Sequence, residues 1–222
     1  MPGLFVLLLC SLGVLTGCSR PAAPPPAAPD LQTAWTAYRN SDFDKAAQMF
    51  LTLQTLPDAP PDIRSEALYG EASCAAHRRT DRNLPGAVAL YERLLQEHPE
   101  SAWAPWAAFD LVRARHLAPS DQDIDYEDLI RGYDAVFQAH PNTPAGEDAF
   151  LFSARLGASR ATPERARALI DAIPAFIQAH PRTPYRSPLQ RILAECHRFL
   201  GEDEKGLDAL LLAFEGGGEN DP

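Results

Sequence analysis

The chain has 222 residues, 45% of them hydrophobic and 23% charged, with 30 Asp and Glu against 20 Lys and Arg and a formal net charge of −10. That mixture is ordinary for a folded globular protein. The acidic balance argues against nucleic acid as a partner, because a phosphate backbone repels such a surface. The length suffices for one or two domains with a real core.

Residues 4–15 read LFVLLLCSLGVL, an apolar run without a charge. About 20 residues are needed to cross a bilayer, so this run reads as the core of a secretory signal. No Lys or Arg precedes it. It ends in Leu15-Thr16-Gly17-Cys18: an aliphatic residue, two small ones and a cysteine. This ending resembles the lipobox of bacterial lipoproteins. The resemblance implies cleavage between Gly17 and Cys18, a diacylglycerol on the Cys18 thiol, and usually an acyl chain such as palmitate on the new amino end. That covalent lipid is the only prosthetic group expected. An ordinary cleaved signal with a chance cysteine is the plainer alternative. By the same resemblance, Ser19 stands where an Asp would imply retention in the inner membrane, so the expected location is the outer membrane, facing the periplasm. No later apolar stretch is long enough to span a membrane.

Residues 19–29, SRPAAPPPAAP, hold five prolines. Proline fixes φ and removes the backbone donor, so the segment is neither helix nor central strand. It is expected to be an extended spacer of roughly 30 Å, at about 3.1 Å per residue, or else a disordered tail. Residues 18–29 thus form a lipidated tether.

From residue 31 the chain shows no alternating strand pattern and no hairpin signal. It repeats itself instead. Ala46-Ala47-Gln48-Met49-Phe50 matches Ala87-Val88-Ala89-Leu90-Tyr91, and the phase recurs at Leu129–Tyr133, Leu169–Ile173 and, weakly, Gly206–Leu210. The turns recur as QEHPES at 96–101, QAHPNT at 138–143 and QAHPRT at 178–183. A period near forty predicts stacked helix pairs. The expected pairs are 30–40 with 42–56, 62–79 with 83–97, 102–117 with 125–139, 144–158 with 163–179, and 185–200 with 203–215.

Thr143-Pro144 and Thr162-Pro163 place a capping hydroxyl before a proline at the first helical position, and Ser101 is expected to cap the third pair. Each His-Pro should end a helix. Gly157 and Gly201 read as helix ends. Pro174 should bend its helix or split it near Ala172. The domain runs over 30–215, and GGGENDP at 216–222 reads as a flexible tail.

Trp35, Tyr38, Asp42-Phe43-Asp44-Lys45-Ala46, Phe50, Ala87, Tyr91 and Pro99 resemble the tetratricopeptide repeat family, whose pattern asks for Ala-x3-aromatic and a later proline. The period departs from that family's 34. The acidic or hydroxyl residues after each His-Pro resemble a subgroup of envelope lipoproteins that includes the D subunit of the barrel assembly machine and the coordinator of the Tol-Pal system. The resemblance implies an all-α, right-handed superhelical solenoid of about five antiparallel helix pairs. It also implies a non-enzymatic scaffold binding other envelope proteins, in outer-membrane protein assembly or as an adaptor for cell-wall, Tol-Pal, secretion or pilus components. No small-molecule substrate is expected.

Candidates for other chemistry have plainer readings. His98, His140 and His180 share one repeat phase, which sets them too far apart to hold one metal. The run Asp121–Asp128 begins like a calcium loop but carries Tyr126 and Gly132 where the glycine and closing carboxylate belong; it reads as a solvated loop and an acidic helix start. Basic ends of first helices and acidic starts of second helices complement the helix dipole, and could also form ion pairs or dock a charged partner. Cys74 and Cys196, about three units apart, read as buried apolar residues rather than a disulfide. Trp103 and Trp106 are expected on one helical face in the core.

Overall fold

The computed structural model describes residues 30–77, 83–117 and 124–215. Among them it holds ten helices and no strand: α1 Leu31–Arg39, α2 Phe43–Thr55, α3 Pro61–His77, α4 Leu84–Glu97, α5 Ala104–Leu117, α6 Tyr126–Ala139, α7 Pro144–Ser159, α8 Pro163–Ala179, α9 Arg186–Phe199 and α10 Asp203–Glu215. Each helix packs on its neighbours in sequence, so the stack grows pair by pair. Odd-numbered helices are the first of each pair. Cys18, Gly17, the tether and the tail lie outside the described residues.

Local sequence sets the starts. Asp30 accepts from the Thr33 amide at 2.7 Å, and Asn83 accepts from the Gly86 amide at 3.0 Å. Thr143 and Thr162 accept from Gly146 and Arg165 at 3.1 and 3.2 Å, each with proline next in the chain. Asp125 caps α6 through both Glu127 and Asp128. Each bond satisfies an amide that has no partner inside its helix.

The His-Pro turns share one geometry. The amides of His98, His140 and His180 donate to the carbonyls of Leu94, Val136 and Phe176, at 2.8, 3.0 and 2.8 Å. Their own carbonyls then accept from Ser101, Thr143 and Thr183, at 3.1, 3.2 and 3.0 Å. The histidines therefore end helices, as their phase predicts. At the second of these turns a β-carbon on Gly146 would lie 2.0 Å from the His140 carbonyl oxygen, so only glycine fits there.

Three expectations need correction. Ser101 does not cap α5, which begins three residues later; its hydroxyl is buried without a hydrogen-bond partner. Gly157 lies inside α7 rather than beyond it, buried where α8 approaches through Arg165 and Leu169. Helix α8 runs unbroken through Pro174, so there is no split near Ala172. Proline in a helix costs about 3 kcal/mol. Ile173, Phe176 and Ile177 are buried on the same helix, at about 2 kcal/mol each, which outweighs that cost.

The core is a chain of four clusters that hand over from pair to pair. Phe50 of α2 is fully buried, with its ring against α3; a β-carbon at Gly70 would lie 2.5 Å from it. Tyr91 packs among Ala104, Ala107 and Leu111 of α5. Tyr133 faces Phe152 of α7 at 5.5 Å. Ile173 packs with Leu189 and Ile192 of α9. Cys74 and Cys196 are buried in different clusters, as small core residues.

Helices α1 and α9 end alike. Ser41 and Gly201 both have positive φ, 63° and 77°. The amides of Asp42 and Glu202 each donate back to a carbonyl five residues earlier, at 3.0 and 2.9 Å. In such a cap the left-handed residue is normally glycine. The left-handed penalty for a side chain is about 1–2 kcal/mol. Glycine's extra unfolded-state entropy costs about 0.4–1 kcal/mol, so the strain wins. Ser41→Gly is expected to stabilise by up to about 1 kcal/mol and Gly201→Ala to destabilise by a similar amount. Urea unfolding measures both; equal midpoints for all three proteins would refute the assignment.

Candidate binding surface

First helices touch one another at three of the four steps of the stack, α1 with α3, α5 with α7 and α7 with α9, but not comparably at the α3–α5 step. Second helices show no comparable contact among the described residues. In a curved stack the more closely spaced row lies inside the bend, so the first helices line the concave side.

That side carries an aromatic strip. Trp35 of α1, Tyr69 of α3 and Trp103, just before α5, recur every 34 residues. Trp103 lies over Tyr69, with ring centres 4.8 Å apart and planes at 27°, and against Trp35 at 5.8 Å and 23°. Tyr38 meets Trp35 edge-on at 5.3 Å. All four rings are half-buried, so one edge or face of each remains open. Farther along, Phe152 is 36% exposed over Phe109 and Tyr133.

Carboxylates of adjoining units lock aromatic rings along this side, from the next unit for Trp35 and Tyr69 and from the preceding unit for Tyr185. Trp35 Nε1 donates to Glu66 Oε1 at 2.7 Å. The Tyr69 hydroxyl donates to Asp110 Oδ2 at 2.7 Å. The Tyr185 hydroxyl donates to Asp148. Asp110 is only 7% exposed and also binds Arg113 at 2.7 Å, so its buried charge is paired. Hydrogen bonds to a charged acceptor are the stronger kind, and they hold the rings in fixed orientation.

Burial raises the tyrosine pKa values. It pushes Tyr38 and Tyr133 up to about 12, and Tyr185 likewise, helped by Asp148. Tyr69 and Tyr91 are held higher still, by burial first and then by the Asp110 charge.

Trp103 and Trp106 do not share a face: Trp103 precedes α5 and joins the second pair's cluster, whereas Trp106 packs on Phe109 at 6.3 Å. Dipole-matched ends also form contacts between partners of one pair. His197 lies 2.7 Å from Glu202 and His116 3.9 Å from Asp128. Arg115 reaches Glu92 of the preceding unit instead, at 2.7 Å. The carboxylate of Glu202 is held below its usual range by His197 and Lys205. Asp121 and Asp123 of the acidic run lie outside the described residues. Among the described residues no group of three His, Cys, Asp or Glu is placed to hold a metal ion, and no helix is long and apolar enough to cross a membrane. The strip itself was missed in the sequence, although the 34-residue spacing of its rings was there to be found.

Fixed, half-open aromatic faces flanked by carboxylates are suited to recognition: they supply flat apolar contact together with acceptors for N–H groups or a cation. No family model and no curated protein sequence matches the chain. Among solved structures it is similar to a Podosopora anserina protein described as a putative kinesin light chain with nearly identical TPR-like repeats. The two are 13% identical, with a TM-score of 0.56, over 86% of this chain and 95% of that one. A single-substitution form of that protein matches at 13% identity and TM-score 0.56, over 83% and 91%. The chain is an all-α, TPR-like repeat solenoid.

Titration at 295 nm in alkali tests the strip. In the folded chain Tyr38, Tyr133 and Tyr185 should ionise near pH 12 rather than about 10. A raised tyrosine pKa stabilises the fold below pH ~10 and that stability is lost as pH rises through the folded value. Urea midpoints should therefore fall between about pH 10 and 12. Asp110→Asn should lower the pKa of Tyr69 and Tyr91; an unchanged profile would show that Asp110 does not act on them.

Proposed function

We propose that this chain is a lipid-anchored scaffold of the bacterial envelope. Cys18 carries the lipid and the Pro-rich tether holds the solenoid off the membrane, facing the periplasm from the outer membrane. The aromatic strip of the concave side carries this reading. Its chemistry fits an extended or helical segment of another envelope protein, one presenting apolar and basic side chains to Trp35, Tyr69, Trp103 and the neighbouring carboxylates. The net charge of −10 points to the same kind of partner. The lipobox at Leu15–Cys18 supports the anchor, and the resemblance to envelope lipoproteins supports a role in outer-membrane protein assembly. The mechanism is capture and positioning of a partner, without bond-making.

Two measurements test it. Cys18→Ala should move the protein from the membrane to the soluble fraction and remove the lipid mass; a variant that stays membrane-bound at the same mass as wild type overturns the anchor. Affinity purification from gently solubilised envelopes should recover an outer-membrane β-barrel protein with its companion lipoproteins. Trp35→Ala with Trp103→Ala should reduce that recovery at least about tenfold, since buried aromatic anchors carry about 2 kcal/mol or more each. Recovery of cell-wall, Tol-Pal, secretion or pilus components instead would make the chain an adaptor and end the barrel-assembly reading.

A further inference from the structure

We propose that two copies of this chain pair tail to tail through α10. The sequence repeat supplies the first argument. Phe50, Tyr91, Tyr133 and Ile173 occupy one repeat position and are 0, 0, 3 and 0% exposed, because the next pair covers each of them. Leu210 holds that position in the fifth pair and is 39% exposed. Around it Leu207, Leu211 and Phe214 are 59, 54 and 81% exposed. These four residues lie at i, i+3, i+4 and i+7, one stripe along a helix. The opposite side of α10 is already used: Gly206, Ala209 and Ala213 are buried, with Gly206 against α9. The crest therefore presents the surface that a further helix would cover in the middle of the stack.

Three observations choose the occupant. Residues 216–222, GGGENDP, hold no large apolar side chain. The first pair cannot continue the stack head to tail, because α1 faces outward with Gln32, Thr33, Thr36 and Arg39, a polar cap. Such polar faces cap repeat arrays, and the outer face of α10 is not one. Crest against crest about a twofold axis closes on itself instead of growing into a fibre. Third, charges of opposite sign flank the crest, on α9 and on α10 itself. On α9, Arg191 and Arg198 flank Glu195, all exposed, and neither arginine has an ion-pair partner among the described residues. On α10 the crest is rimmed by Asp203, Glu204 and Asp208. A twofold places the basic wall of one copy against the acidic rim of the other. An anionic membrane surface, by contrast, would be repelled by that rim.

Sedimentation of the full chain in mild detergent, from about 1 to 100 μM, reads the association. The expected result is a dimer. Leu207→Glu with Leu211→Glu, both exposed and therefore compatible with folding by circular dichroism, should weaken it at least ~30-fold. Arg191→Glu with Arg198→Glu makes one reversed copy, and Glu204→Lys with Asp208→Lys makes another. Each alone should be monomeric, and their mixture should dimerise, because both interfaces of the mixed pair again join opposite charges. A wild-type monomer throughout the range overturns the proposal, as does a dimer that survives Leu207→Glu with Leu211→Glu, or a mixture that stays monomeric. A monomer that floats with anionic vesicles through this face would assign the crest to lipid instead. Capture of envelope partners on the aromatic strip is read separately and is unaffected by either result.

Discussion

Everything in this molecule depends on one constraint: a helix pair cannot cover the large residue at the heart of its own second helix. Phe50 shows how the problem is solved. Its ring lies on α3 at a place where even a methyl group would collide, so the first helix of the next pair must come close and carry glycine there. Burying such a ring is worth about 2 kcal/mol or more, a large share of the stability of one small unit. The same dependence passes to Tyr91, Tyr133 and Ile173, each closed by the following pair. Stability is therefore shared between neighbours, and the stack is cooperative only as far as those handovers reach.

The handover also builds the concave side. Because each first helix must reach back over the preceding pair, first helices crowd one another, and their outward aromatic residues align. The carboxylate bonds from Glu66, Asp110 and Asp148 join consecutive units on that side. The surface that reads as a binding strip is thus held by contacts that also tie the repeats together. Its rings are ordered before any partner arrives, which lowers the entropy cost of binding.

The architecture was legible because its signals are local. Apolar stripes, hydroxyl–proline caps and His-Pro stops each act within a few residues, and they place all ten helices to within two residues of their observed ends. What failed was tertiary. Pro174 was expected to bend α8 or split it near Ala172; the helix is not split, because packing against α9 holds it together, and nothing in the segment itself announces that. Ser101 has the same sequence position as Thr143, yet Ala102 follows it where Pro144 follows Thr143, and the helix starts late. The strip went unseen for a related reason. The second helices, whose apolar stripes are the plainest signal, repeat near every forty residues, while Trp35, Tyr69 and Trp103 keep a period of 34. The rings sit at different places in their units, Trp35 and Tyr69 inside α1 and α3 and Trp103 before α5, so their spacing departs from that of the second helices.

The two ends of the stack bear differently on how it could work at a membrane. On the proposed anchoring, lipid and tether attach at the polar-capped start, and the open crest of α10 stands four pairs away. Tail-to-tail pairing then sets a condition on the geometry. Both N-termini must reach one leaflet, so the twofold axis must stand along the membrane normal; an axis lying in the membrane plane would send the anchors to opposite sides. With the axis upright both anchors of the proposed pair reach the same leaflet. Two lipid anchors on one assembly also bind far more firmly than one, because the second insertion is intramolecular.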